Sequence, residues 1–290
     1  MLHSIKIKEC LVLCKFRVVA LMLLSAAVAM LLADHLKPII MLQALFGIGC
    51  VAASGGVFNQ LVETPIDEKM QRTQKRPLLT KSVSVNEAWL LALVLMVLGT
   101  LVLYVFVNAL TALICLTGMI GYAWIYTCYL KHLTPQNIVV GGLNGALPPL
   151  LGWTAVTNEI TAQAWCLVLI IYTWTPPHFW ALAVCRQKDY ARAKIPMLPV
   201  THGKKFTYIQ IILYSVLMVL STILPILIGL SGLVYASAMF YLNAWFMYLA
   251  YKLYKTHSDA VAMQLFKYSI VYLALLYIAM LIDHYFLISI

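Results

Sequence analysis

Asn59, Glu63 and Asp67 recur every four residues in the stretch NQLVETPIDEKMQRTQKRPL. On a helix that spacing stacks three oxygen-bearing side chains on one face. Such a set suits Mg²⁺, which takes one or two carboxylates and completes its shell with waters and substrate phosphate. Pro65 lies between the second and third members; it weakens a helix from about residue 61, so a turn at Asp67 is the alternative. Arg72, Lys75 and Arg76 follow at once, and guanidinium groups grip phosphate oxygens two at a time. Carboxylates followed by cations indicate a metal-bridged diphosphate. The same residues would also make a solvated basic loop beside a membrane span.

A second group lies in YTWTPPHFWALAVCRQKDYARAKIPMLPV, where His178 follows Pro176 and Pro177 inside an apolar run. An ionisable group at membrane depth is costly unless it faces a cavity or a partner, so His178 is either functional or hydrogen-bonded to a neighbouring helix. Arg186, Lys188 and Asp189 follow, again cations with a carboxylate. Two such groups in related positions would converge on a central cavity that grips an anionic head and accommodates a lipid-soluble tail. Between them, Gly141, Gly142, Gly145, Pro148 and Pro149 interrupt an apolar run, permitting close helix approach and a kink. Lys131 and His132 either hold an anion or anchor the membrane face. Tyr122, Tyr126 and Tyr129 line a cavity or form an interfacial belt.

The elements that must position these groups follow from composition. Of 290 residues, 63% are hydrophobic and 10% charged, with a mean hydropathy of +0.90. Soluble domains carry about 25% charged residues, so this chain cannot cover a water-facing globule of its size. Apolar runs near 16–34, 38–61, 88–108, 109–130, 138–156, 162–185, 207–230, 232–251 and 268–289 are each near the length of a spanning helix. The expected fold is therefore all-α: a polytopic membrane protein of about nine transmembrane helices in two pseudo-repeated halves around a central cavity. The first run reads as a retained helix, not a cleaved leader.

With the N-terminus cytoplasmic, nineteen of the twenty Lys and Arg fall on that side and only Lys37 on the other. This is an N-in, C-out arrangement, and it accounts for the net charge of +10 without nucleic acid. Lys15 and Arg17 read as plain anchors. The seven cysteines are odd in number, form no Cys-x-x-Cys pair and read as buried thiols. Glu159, Asp283 and His284 suggest no role. The few residues before the first run leave little room for a transit peptide, which suggests a bacterial inner membrane.

At these residues the chain resembles the protohaem IX farnesyltransferase (haem O synthase) family, within the UbiA superfamily of intramembrane prenyltransferases. The resemblance runs from about residue 15 to beyond 200 and is carried by VAASGGVFNQ, RTQKRPL, TPQNIVVGGLNGALPPLLGW, PPHFWALAV and KDYARAKIPMLPV. Where the superfamily usually has Asn-x-x-x-Asp-x-x-x-Asp, Glu63 holds the middle position. Of its second aspartate motif only Asp189 stands, with Ala193 four residues on. Lys15-Phe16 replaces a common Lys-Pro.

The resemblance implies one prenyltransferase domain over 1–290, N-terminus cytoplasmic and C-terminus periplasmic, with its site facing the cytoplasm. It implies transfer of the farnesyl group of farnesyl diphosphate to a vinyl group of protohaem IX, with water adding, to give haem O for a terminal oxidase. Mg²⁺ would be held by Asn59, Glu63 and Asp67, with Asp189, and diphosphate by Arg72, Lys75, Arg76, Lys131, Arg186 and Lys188. Asn59, Asp67, Arg72, Arg76 and His178 would carry catalysis. Haem would meet His178, as axial ligand or proton acceptor, with Tyr126 and Trp180. Contact with haem A synthase or terminal oxidase assembly would follow. The alternatives are a superfamily member acting on a quinone precursor or chlorin, a secondary transporter, and an assembly factor that binds haem without chemistry.

Overall fold

Inside hydrocarbon a segment has to satisfy its own backbone N–H and C=O groups, and for a lone segment that means a helix. In the computed structural model, which describes residues 2–33, 36–68 and 73–286 and side chains from residue 7 onward, every regular element is helical. In chain order these are α1 (Leu2–Leu13), α2 (Phe16–Leu32), α3 (Pro38–Asp67), α4 (Val85–Phe106) and α5 (Ala109–Ile120). A π-helical stretch (Gly121–Leu130), the single turn α6 (Lys131–Leu133), α7 (Asn137–Ala146), α8 (Pro148–Thr157) and α9 (Ala162–Cys185) follow. The chain closes with α10 (Gln187–Arg192), α11 (Leu198–Thr201), α12 (Gly203–Leu227), α13 (Leu233–Thr256) and α14 (Asp259–Tyr285).

Eight segments among the described residues are long and apolar enough to span a bilayer. A ninth forms if Ile7–Leu13 and Phe16–Leu32, bent by 61° at their junction, count as one span. Eight of the nine expected runs therefore stand as single span-length segments, the first only together with α1, and most helices outrun the expected bounds. The last starts at Asp259, not near 268, because hydropathy registers only hydrocarbon depth, whereas polar residues of good helix propensity carry the helix into the interface. α4 likewise starts early, where Ser84 and Glu87 form a reciprocal cap: the Glu87 amide donates to Ser84 Oγ at 3.2 Å and the Ser84 amide to Glu87 Oε2 at 2.9 Å. Leu90, Val94, Val97 and Leu101 of α4 point outward and exposed, a face fit for lipid.

The chain divides into two compact units. Unit 1 comprises Met1–Leu133, Leu147–Ile160 and Arg192–Lys194; unit 2 comprises Thr134–Ala146, Thr161–Ala191 and Ile195–Ile290. Helix assignment is interrupted at Leu147, where the glycine- and proline-rich run was expected to break, and Pro148 and Pro149 open α8 where no amide partner is needed. In unit 1, Ala26, Met30, Ile48, Val51, Leu103 and Met119 pack one apolar core. α8 meets α2 backbone to backbone at Gly152, where a Cβ would lie 2.1 Å from the Ala26 carbonyl oxygen.

In unit 2, Asp283 has a role its sequence position does not reveal. It is fully buried near the end of α14 and accepts from the backbone amides of Gly232, Val234 (2.9 Å) and Tyr235 (3.3 Å). Those amides open α13, and without the carboxylate they would be orphaned where water is scarce.

Candidate active site

The first cluster is built in unit 1 on the C-terminal end of α3. The helix continues through Asp67 despite Pro65, which corrects the alternative of a turn there. Pro65 removes the amide that would bond the Leu61 carbonyl, and the Thr64 hydroxyl reaches that carbonyl at 3.2 Å and Gln60's at 2.9 Å. Asn59, Glu63 and Asp67 consequently do share one face, and all three are buried, at 2%, 5% and 3% exposure.

Each is already engaged by a cation or a hydroxyl. Arg76 Nη1 pairs with an Asp67 carboxylate oxygen and lies 3.9 Å from Glu63 Oε2. Lys131 Nζ pairs with Glu63 Oε1. Lys15 Nζ donates to Asn59 Oδ1 and to the Tyr122 hydroxyl at 3.2 Å, while Asn59 Nδ2 donates to Thr127 Oγ1 at 3.1 Å. The loop that delivers Arg76 is tied back by Thr73, whose hydroxyl donates to the Asp67 carbonyl at 2.8 Å.

Lys15 is the residue that sequence reasoning placed wrongly: it is not a plain anchor. The VAASGGVFNQ segment explains how it arrives. Gly56 leaves room for the α1–α2 corner, where a Cβ would lie 3.1 Å from the Cys14 carbonyl oxygen. Gln60 Nε2 donates to the Val12 and Leu13 carbonyls at 3.0 and 2.9 Å, satisfying the end of α1. Lys15 itself turns the corner in the left-handed region, φ 51° and ψ 44°, a conformation that costs a non-glycine residue roughly 1–2 kcal/mol. Such strain accumulates at functional sites, and here the turn accompanies an ammonium group brought onto Asn59.

The π-helical stretch contributes the opposite wall. The wider turn places Tyr122 and Tyr126 in a stack, with centroids 5.8 Å apart and planes at 13°. Tyr129 and His132 are exposed instead, as is Lys75, which has no ion pair among the described residues. Arg72 lies outside the described residues.

Two carboxylates and three cations thus share one buried cluster, Glu63 and Asp67 with Lys15, Arg76 and Lys131. The surplus is one positive charge, which suits an anion. The same donor set fits a divalent cation: three oxygen side chains in one line, whose present partners are cations that phosphate oxygens could draw off. Among the described residues, His, Cys, Asp and Glu alone form no metal-holding group, so Asn59 is needed to complete the set.

The second group is in unit 2. Arg186 and Asp189 stand 3.8 Å apart one turn from each other, the arginine side chain 47% exposed, and Lys188 is exposed beside them. His178 is buried in α9, its Nδ1 2.6 Å from Ser269 Oγ on α14. Its ring stacks with Trp174, centroids 4.3 Å apart, and with Phe266 at 4.7 Å. Trp180, expected to offer its face to haem, is fully buried in the unit's interior, edge-on to Tyr214 at 5.2 Å. Two residues along a helix turn a side chain by about 200°, so Trp180 and His178 leave α9 on opposite faces.

Comparison with known proteins adds the family. The description "UbiA prenyltransferase family" matches residues 22–280. A protohaem IX farnesyltransferase 2 of Pseudoalteromonas atlantica is 52% identical over 273 residues, 93% of this chain and 90% of that protein. Among solved structures, a membrane digeranylgeranylglyceryl phosphate synthase superposes with a TM-score of 0.81 at 19% identity, over 97% of this chain and 99% of that one. A UbiA homologue from Archaeoglobus fulgidus bound to GPP and Mg²⁺ superposes with a TM-score of 0.64 at 15% identity, over 94% of this chain and 99% of that one. These two likenesses are likenesses of fold.

Proposed function

The chain belongs to the UbiA prenyltransferase family, and on that premise we propose that it transfers the farnesyl group of farnesyl diphosphate to a vinyl group of protohaem IX, producing haem O and diphosphate. The observation that carries this reading is the 52% identity, along 93% of the chain, to a protein named for that reaction. The buried carboxylate and cation cluster of unit 1 supplies the matching chemistry.

In the proposed reaction the farnesyl C1–O bond breaks and its electron pair leaves with the diphosphate. The vinyl terminal carbon attacks C1, and water adds to the adjacent carbon, releasing one proton. Arg76, Lys131 and Lys15 stabilise the charge that develops on the leaving group, and Arg72, Lys75, Arg186 and Lys188 are further candidate cations for it. Mg²⁺ held by Asn59, Glu63 and Asp67, with Asp189 as a further donor, would draw off part of that charge. Tyr126, stacked beside the cluster, offers a ring face to the allylic cation. His178 meets the haem through its ring edge.

We assign the whole of 1–290 to one prenyltransferase domain in a bacterial inner membrane, N-terminus cytoplasmic, C-terminus periplasmic and site toward the cytoplasm. Nineteen of twenty cations on one side support that orientation. The product would pass to haem A synthase or to terminal oxidase assembly.

The test is to incubate membranes carrying the protein with protohaem IX, farnesyl diphosphate and Mg²⁺, and to identify haem products by mass, with EDTA as control. A farnesylated hydroxyethyl haem that EDTA abolishes is expected. Prenylation of an aromatic acceptor offered in parallel, with no haem product, would overturn the haem assignment and keep the fold and cluster. Lys15→Met is expected to raise the KM for farnesyl diphosphate roughly tenfold, as loss of one hydrogen bond to a charged group would. An unchanged KM would return Lys15 to the role of anchor.

A further inference from the structure

We propose that Ser269 is a positioning residue for the reaction, locking His178 in the tautomer that carries its proton on Nδ1 and leaves a lone pair on Nε2. The inference rests on the haem-facing role given to His178 above. A serine hydroxyl has one proton, and that of Ser269 is already committed: Oγ donates to the Phe266 carbonyl at 2.7 Å, one turn back on α14. Toward His178, 2.6 Å away, Oγ is therefore left as an acceptor, and Nδ1 has to bring the proton. A neutral imidazole protonated at Nδ1 is unprotonated at Nε2.

The surroundings hold the ring in that pose. Trp174 stacks on it with planes 18° apart, Phe266 with planes 28° apart, and Phe179 meets it edge-on at 5.1 Å. Trp174 is in turn tied to the same serine, its Nε1 donating to the Ser269 carbonyl at 2.9 Å. Nε2 makes no hydrogen bond among the described residues. One serine thus anchors both the imidazole and the indole stacked on it. Both uses open to His178, ligating iron and accepting the proton of the adding water, require a lone pair on the ring nitrogen remote from Ser269. A carbonyl–hydroxyl–imidazole chain does here what a carboxylate or carbonyl partner does for metal-bound histidines.

The test uses the full chain in detergent or nanodiscs, with ¹⁵N-labelled histidine ring nitrogens and the signal of His178 assigned by its loss in His178→Gln. In the parent, a protonated Nδ1 and an unprotonated Nε2 are expected. Ser269→Ala should mix the tautomers and lower kcat for haem O about 10- to 100-fold, the usual scale for losing such a partner, with the KM for farnesyl diphosphate unchanged. Ser269→Thr, which keeps the hydroxyl, should restore the tautomer and most of the rate. A protonated Nε2 in the parent, or Ser269→Ala within twofold of the parent while His178→Ala is inactive, overturns the lock and leaves the His178 reading standing. Full activity in His178→Ala overturns both. A Ser269→Ala defect that raises the KM for farnesyl diphosphate and leaves the tautomer intact assigns the serine to packing alone and overturns the proposal.

Discussion

Asp67→Asn is expected to slow haem O formation by roughly 10²–10³-fold, the scale seen when one preorganised stabiliser of developing charge is lost. The substitution keeps the side chain's shape, and its amide oxygen still accepts from Arg76, so the buried position stays filled and the loop stays tied through Thr73. What disappears is one of the two negative charges in a cluster that already carries a positive surplus. A divalent cation then binds more weakly, while a diphosphate ground state is held as well as before or better. The signature is therefore a fall in kcat and a raised half-saturating Mg²⁺ concentration, with little change in the KM for farnesyl diphosphate. An Mg²⁺ dependence identical to the parent's would remove Asp67 from the metal set. Replacing Arg76 is a poorer probe, because removing one member of a buried ion pair strands its partner at about 3–5 kcal/mol and confounds folding with function.

The second large effect belongs to His178. His178→Ala should cut haem O formation by about 10²–10⁴-fold, the range for loss of a positioned proton acceptor. Insertion and farnesyl diphosphate binding should persist, since the α3 cluster and its partners all lie within unit 1. The alanine leaves a gap beside Trp174 and Phe266, so His178→Gln, which fills more of that space, separates lost packing from lost chemistry. Measured with protohaem IX and, separately, with an aromatic acceptor, a loss confined to the haem reaction supports a haem-facing imidazole. A full rate in both variants would take His178 out of the site and leave it as a histidine bonded to a neighbouring helix.

The VAASGGVFNQ segment shows how one stretch carries several duties. Gly56 admits the α1–α2 corner, Asn59 receives Lys15 and Gln60 satisfies the carbonyls at the end of α1. A larger residue at Gly56 would push the corner away and take Lys15 with it, so packing and charge placement depend on the same few atoms.

Much of this was legible in the amino-acid sequence alone. Hydropathy located the spans, because the bilayer demands about 20 apolar residues from each and each helix satisfies that demand locally. The four-residue interval put Asn59, Glu63 and Asp67 on one face, because the helical period is itself a local property. Lys15 and Ser269 were not read in their places, and Lys131 was expected at a diphosphate but not against Glu63; their partners lie 44, 91 and 68 residues away. Asp283, 51 residues from the amide of Gly232 that it caps, looked idle for the same reason. Which distant cation meets a buried carboxylate, and which carboxylate meets a helix end, is settled only when the helices pack. Burial then makes an unpaired polar group cost on the order of 1–3 kcal/mol, or more when charged. The backbone course past Pro65 was likewise open in the sequence, because the Thr64 hydroxyl meets the Leu61 carbonyl only once the helix has formed.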